Sequence, residues 1–140
     1  MTQERKRLVL DANILIRAVF GVRVSALIAE YSDRVDFFVA QTNAEEAAHY
    51  ISELSEKRKL NPEITNEAFL RLLRIVQTVD DSALESAQQE AEARIRDPRD
   101  WQALALAILL ECPIWSEDQD FFGTGVATWV TATVEVFLRD

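Results

Sequence analysis

The chain has 140 residues, 49 % of them hydrophobic, and a formal net charge of −9. This length and composition suit a single domain spanning residues 1–140 with one substantial core, and they exclude an intrinsically disordered chain. The lone cysteine, Cys112, excludes an internal disulfide and fits a reducing cytoplasm.

No apolar run reaches the roughly 18 to 20 residues that span a bilayer, so no membrane association is expected. The start of the chain, Met1-Thr2-Gln3-Glu4-Arg5-Lys6-Arg7, is charged, and the apolar run behind it is cut by Asp11 and Asn13, so it does not read as a signal peptide. The acidity makes a poor non-specific nucleic-acid binder, because phosphate contacts come from Lys and Arg. The basic runs Arg5-Lys6-Arg7, Lys57-Arg58-Lys59 and Arg94, Arg96, Arg99 read as solvated faces.

In chain order, Leu8 to Leu10 predicts a buried strand that delivers Asp11 to its end. Ala12 to Phe20 predicts a helix stopped by Gly21, and Val24, Leu27, Ile28 and Tyr31 carry the i, i+3, i+4, i+7 spacing of a second helix. Val35 to Ala40 is rich in β-formers and predicts the second strand. Thr42 or Asn43 is expected to cap the next helix, with Glu45 or Glu46 in its first turn and an end near Lys57. Asn61-Pro62 opens a helix to about Leu73, with an apolar face of Phe69, Leu70, Leu72 and Leu73. Ile75 to Val79 predicts a third strand, and Asp81 or Ser82 caps a polar helix through Ile95.

Asp97-Pro98 is a strong helix start, and it places Asp100 in the first turn of a helix with Trp101, Leu104, Ala105, Ile108 and Leu109 on its apolar face. Pro113 to Ser116 predicts a strand ending at Glu117-Asp118. Gly123 and Gly125 mark a turn, Val126 to Thr131 a fifth strand, and Ala132 to Leu138 a closing helix. Strands alternating with helices argue a parallel α/β sheet covered on both faces.

Acids recur at strand ends and at the helix starts that follow them: Asp11, Glu45-Glu46, Asp97, Asp100, Asp118 and Asp120. In open α/β sheets, ligands bind in the crevice at the carboxyl ends of the strands. Hard cations such as Mg²⁺ and Mn²⁺ take a few carboxylates and complete their shell with water and substrate phosphate. These acids therefore suit one divalent-metal site. Each also has a local role open to it, Asp11 and Asp97 as helix caps and Glu46 as an acid near a helix start. Asn13 either positions Asp11, holds a metal-bound water, or is an ordinary turn residue. Other chemistries lack parts. With one histidine, His49, no Ser-His-Asp triad or His-rich zinc site can be built, and there is no Gly-rich phosphate loop. Trp101, Trp115 and Trp129 read as core or interface, and Cys112 as structural.

The quoted segments resemble those of PIN-domain nucleases, the fold of VapC-type toxins, over nearly the whole chain. Leu8-Val9-Leu10-Asp11-Ala12-Asn13 is similar to the family's opening strand and Asp-x-Asn. Glu46-Ala47-Ala48-His49-Tyr50-Ile51 is similar to its second motif, Asp97-Pro98-Arg99-Asp100-Trp101 to its third, and Ile114-Trp115-Ser116-Glu117-Asp118-Gln119-Asp120 to its last. The resemblance implies an α/β three-layer sandwich with a central, mostly parallel sheet of about five strands. It implies metal-dependent hydrolysis of RNA phosphodiester bonds. Asp11, Glu46, Asp100 and Asp118 would be the catalytic residues and hold Mg²⁺ or Mn²⁺, with Asp120 as a supplementary ligand and Asn13 and Ser116 in support. It further implies a homodimer and, for a toxin, a small antitoxin partner. Because Glu45 and Glu46 are adjacent, either fits as the second ligand. The alternative function is a catalytically silent binding or scaffold module on the same fold. A receiver-like phosphoacceptor domain ranks lower: a strand does end at Asp80, but no lysine follows Lys59.

Overall fold

The computed structural model describes residues 5–140. Residues 1–4, the beginning of the charged start, lie outside the described residues. The elements are β1 (Lys6–Leu10), α1 (Ala12–Phe20), α2 (Arg23–Tyr31), β2 (Val35–Ala40), α3 (Gln41–Lys57), α4 (Pro62–Leu72), β3 (Gln77–Val79), α5 (Glu85–Arg94), α6 (Trp101–Leu110), β4 (Ile114–Trp115), β5 (Thr128–Trp129) and α7 (Val134–Arg139). Single 3-10 turns at Asp81–Leu84, Pro98–Asp100 and Gln119–Phe121 lead into α5 and α6 and follow β4.

The five strands form one sheet in the order β3-β2-β1-β4-β5. Every neighbouring pair is parallel, so the sheet is wholly rather than mostly parallel. Alternation along the strands sorts two cores. Leu8, Leu10, Phe37, Val39 and Trp115 face α1, α2, α3, α4 and α7. Val9, Ala40 and Ile114 face α5 and α6. Both faces are thereby covered, as a parallel sheet requires. α6 is buried almost all round, with Ala103 through Ala107 inaccessible, and its alanines let it lie close on the sheet. Leu109, expected on its apolar face, is exposed, as is Leu70 on α4. No helix among the described residues is long and apolar enough to cross a membrane.

Several starts and ends differ from expectation. α3 begins at Gln41, so Thr42 and Asn43 lie inside it, and neither caps it. The reason is tertiary. The backbone N–H of Thr42 donates to Asp81 Oδ1 at 3.3 Å, and the Thr42 hydroxyl bonds the same carboxylate. A side chain from another segment supplies what a local cap would, and β2 runs straight into the helix. With the start moved back, no acid falls in the first turn, and Glu45 and Glu46 sit in the second. Asp81 being committed there, Asp80 caps the turn before α5 by accepting from the Ser82 N–H at 2.9 Å. β3 and β5 are shorter than the β-forming runs around them, because only part of each run lies beside a partner strand.

The sheet order also fixes the place of the crevice. The chain winds from β1 out through β2 to β3, then returns to β4 on the other side of β1. The carboxyl ends of β1 and β4 therefore flank the switch point, where open α/β sheets bind ligands.

Candidate metal centre

Asp11 follows β1 directly and Ser116 follows β4 directly, and the register Leu10↔Trp115 sets them side by side. Asp11 is 9 % exposed. It caps α1 by accepting from the Ala12 N–H at 2.9 Å. Its other oxygen accepts from the Ser116 hydroxyl at 2.8 Å and from the Asn13 amide at 2.9 Å. The same Asn13 amide reaches Ser116 Oγ at 3.2 Å, and Asn13 Oδ1 accepts from the Glu117 N–H at 3.2 Å. Ser116 Oγ in turn accepts from the Asp118 N–H at 2.9 Å. One network thus locks the ends of two strands that are distant in sequence and holds Asp118 next to Asp11.

A crevice of about 290 Å³ opens over this network, and Asp11, Asn13, Asn43, Glu46, Asp100 and Asp118 are among the residues that line it. Glu46 reaches it from α3, with Asn43 and Tyr50 about one turn to either side on the same face. Glu45 does not line it. That side chain accepts instead from Gln41 Nε2 at 3.1 Å on the exposed surface. Asp100 sits at the start of α6 without a side-chain capping bond, so its carboxylate is uncommitted. Asp97 is a cap. It accepts from the Arg99 N–H at 3.1 Å and pairs with the Arg99 guanidinium at 2.9 Å, which holds its carboxyl below the usual range.

Asp100, Asp118 and Asp120 each offer an oxygen within 4.8 Å of the others, a cluster able to hold a metal ion. Asp120 is braced through its N–H, which donates to Asp118 Oδ1 at 2.9 Å. Among the described residues, the only cation within 4 Å of Asp11, Glu46, Asp100, Asp118 or Asp120 is the exposed Arg96, at 3.7 Å from Asp120. His49 is exposed and pairs with Glu53 at 3.1 Å.

The electrostatics register this crowding. Burial, with the charges of Asp118 and Glu46 adding to it, pushes the Asp11 carboxyl up to about 6, against the pull of its hydrogen bonds to Ser116 and Ala12. Burial, then the charges of Asp97, Glu46, Asp118 and Asp120, raises Asp100 as well. Hard oxygen donors that repel one another and are almost unpaired with side-chain cations suit a hard divalent cation. The donor set therefore fits such an ion.

The sequence reading did not single out Asn43, Tyr50, Ile16 or Phe121 as residues of the crevice. For Asn43 a signal existed, since it precedes Glu46 by three residues and so shares its helix face. Size alone does not mark this site. A larger hollow, about 640 Å³, is lined by Arg5, Lys6, Arg34 and Arg139 and lies at the opposite, amino end of β1.

A family model described as PIN domain matches residues 9–139. No curated protein matches the chain. Solved structures similar to it include PAE2754 from Pyrobaculum aerophilum, at 14 % identity and a TM-score of 0.73, with 99 % of each chain covered. VapBC2 from Rickettsia felis, bound to a DNA fragment from their promoter, is 13 % identical with a TM-score of 0.71, over 89 % of this chain and 98 % of that one. FitAcB from Neisseria gonorrhoeae is 17 % identical with a TM-score of 0.60, over 89 % of this chain and 98 % of that one. At these identities the likeness is one of fold.

Proposed function

The chain belongs to the PIN-domain family, and on that footing we propose that it is a metal-dependent endoribonuclease that hydrolyses RNA phosphodiester bonds. The observation that carries the reading is the convergence of Asp11, Glu46, Asp100 and Asp118 on one crevice at the switch point of the sheet. These four would hold Mg²⁺ or Mn²⁺, with Asp120 as a further acid. When bound, such an ion activates water and offsets charge on the phosphate.

The protein's own contribution is position. Asn13 and Ser116 hold Asp11 in one orientation through hydrogen bonds at 2.9 and 2.8 Å, so little is left to reorganise when substrate arrives. The net charge of −9 opposes RNA, and a cation held by these acids would supply the local positive charge that a phosphate needs. A small antitoxin that covers the crevice, and a homodimer, are the partners proposed with this activity, from the resemblance to VapC-type toxins.

The test is cleavage of a mixed RNA panel with Mg²⁺ or Mn²⁺, wild type beside Asp11→Asn and Asp118→Asn. Cleavage that requires the ion and disappears in both variants is expected. Cleavage that survives chelation, or survives both substitutions, would overturn the reading. An intact protein that binds Mn²⁺ yet cleaves none of the panel would mean a formed site with a different substrate, whereas no cleavage and no response to Mn²⁺ would overturn the enzyme reading and leave the silent binding module.

A further inference from the structure

Asn43 is 6 % exposed, and among the described residues its Oδ1 is the one buried side-chain nitrogen or oxygen without a hydrogen-bond partner. The other buried polar side chains are bonded. Ser55 donates to the Ile51 carbonyl, Thr65 to that of Pro62, Thr124 to that of Phe121, and Ser116 to Asp11. A buried acceptor left without a donor is costly, and folded proteins keep few of them. Neither packing nor helix propensity explains an Asn here. A leucine would fill similar space without a polar group, and Asn is a mediocre helix former. Nor does it cap α3, since Asp81 serves Thr42 at the helix start.

The surroundings say what kind of partner is missing. Asn43 lines the crevice with Asp11, Glu46, Asp100 and Asp118. Ionised carboxylates only accept hydrogen bonds, so none of them can serve Oδ1. A divalent ion in an all-oxygen site keeps several waters, and those waters are strong donors. Oδ1 is shut off from solvent where it stands, but the last torsion of an Asn side chain is broad, so a partial turn brings the oxygen within reach of a water in the crevice without burying the amide N–H in its place.

Resting on the metal-site reading above, we propose that Asn43 is a positioning residue of the metal centre: its carboxamide oxygen accepts a hydrogen bond from a water of the cation's hydration shell. Groups that orient a metal's surroundings in this way typically account for 10- to 100-fold in affinity.

The experiment compares wild type with Asn43→Leu, Asn43→Ala and Asn43→Ser. Melting is measured with chelator, and Mn²⁺ affinity by calorimetry. Without metal, Asn43→Leu is expected to melt no lower than wild type, because it sheds a buried unpaired group. Its Mn²⁺ dissociation constant is expected to weaken about 10- to 100-fold, and Asn43→Ser, which keeps an acceptor, to recover part of that loss. Should Asn43→Leu not fold, Asn43→Ala carries the comparison. Wild-type binding with an unchanged constant in the variants would overturn the role of Asn43 alone. Weakening that Asn43→Ser does not relieve, together with a lower melting point in chelator, would assign Asn43 to structure and overturn it as well. Absence of Mn²⁺ binding by wild type would overturn the metal-site reading and this inference together.

Discussion

The Ser116 hydroxyl donates to Asp11 Oδ2 at 2.8 Å across 105 residues of sequence, at the point where the sheet reverses its winding. Ser116 is fully buried, and its Oγ also receives the Asn13 amide and the Asp118 N–H. Ser116→Ala therefore leaves the Asp118 N–H without its acceptor, while the Asn13 amide and Asp11 Oδ2 keep only their bond to each other. The variant is expected to lose about 1–3 kcal/mol of stability, read by urea denaturation in chelator. Because the Ser116 bond lowers the Asp11 carboxyl, its loss is expected to raise that carboxyl further above about 6.

Asp11 also gives the metal-free protein a pH signature. Its carboxyl is at about 6 when folded, against an ordinary 3.8. The folded state thus holds the proton more tightly. That contribution to stability is full below the ordinary value and is lost as pH rises through about 6, amounting to about 3 kcal/mol. Asp11→Asn has no such proton to lose. In chelator, its stability relative to wild type is expected to climb by up to about 3 kcal/mol between about pH 4 and pH 7. Parallel pH dependences in the two proteins would contradict the burial of the charged carboxylate.

Adding the ion offsets that difference. The repelling charges of Asp11, Glu46, Asp100 and Asp118 are relieved by a bound cation. Mn²⁺ at about 100 times its dissociation constant is expected to stabilise wild type by about 2.7 kcal/mol, roughly 5–10 °C in melting temperature. Asp118→Asn or Asp100→Asn is expected to abolish most of this increment. A calorimetric scan with and without the ion gives the comparison directly.

The two glutamates separate cleanly. Glu46 lines the crevice, and Glu45 lies on the outer surface with Gln41. Glu46→Gln is expected to weaken Mn²⁺ binding by at least about 10-fold and to lower RNA cleavage in step. Glu45→Gln is expected to leave both within about two-fold, since a surface charge removed at that distance is screened. The reverse result would exchange their roles.

Much of this architecture is determined by local physics and so is legible in the sequence alone. The run Leu8-Val9-Leu10 before Asp11 specifies a strand buried on both faces. Asn61-Pro62 and Asp97-Pro98 specify starts, because a cap and a proline act within one turn. The acids fall at strand ends and helix starts by position in the chain, which is why their convergence could be anticipated. Tertiary structure decided what depends on partners remote in sequence. Asp81 reaches across to Thr42 and moves the start of α3 back to Gln41. With that helix seated on the sheet by Ala44, Ala47 and Ile51, its phase turns Glu46 rather than Glu45 into the crevice. The same seating buries the Asn43 oxygen without a donor. No periodicity encodes these outcomes, because hydrogen-bond partners and helix phase are set by which surfaces meet, and that is known only once the chain has closed on itself.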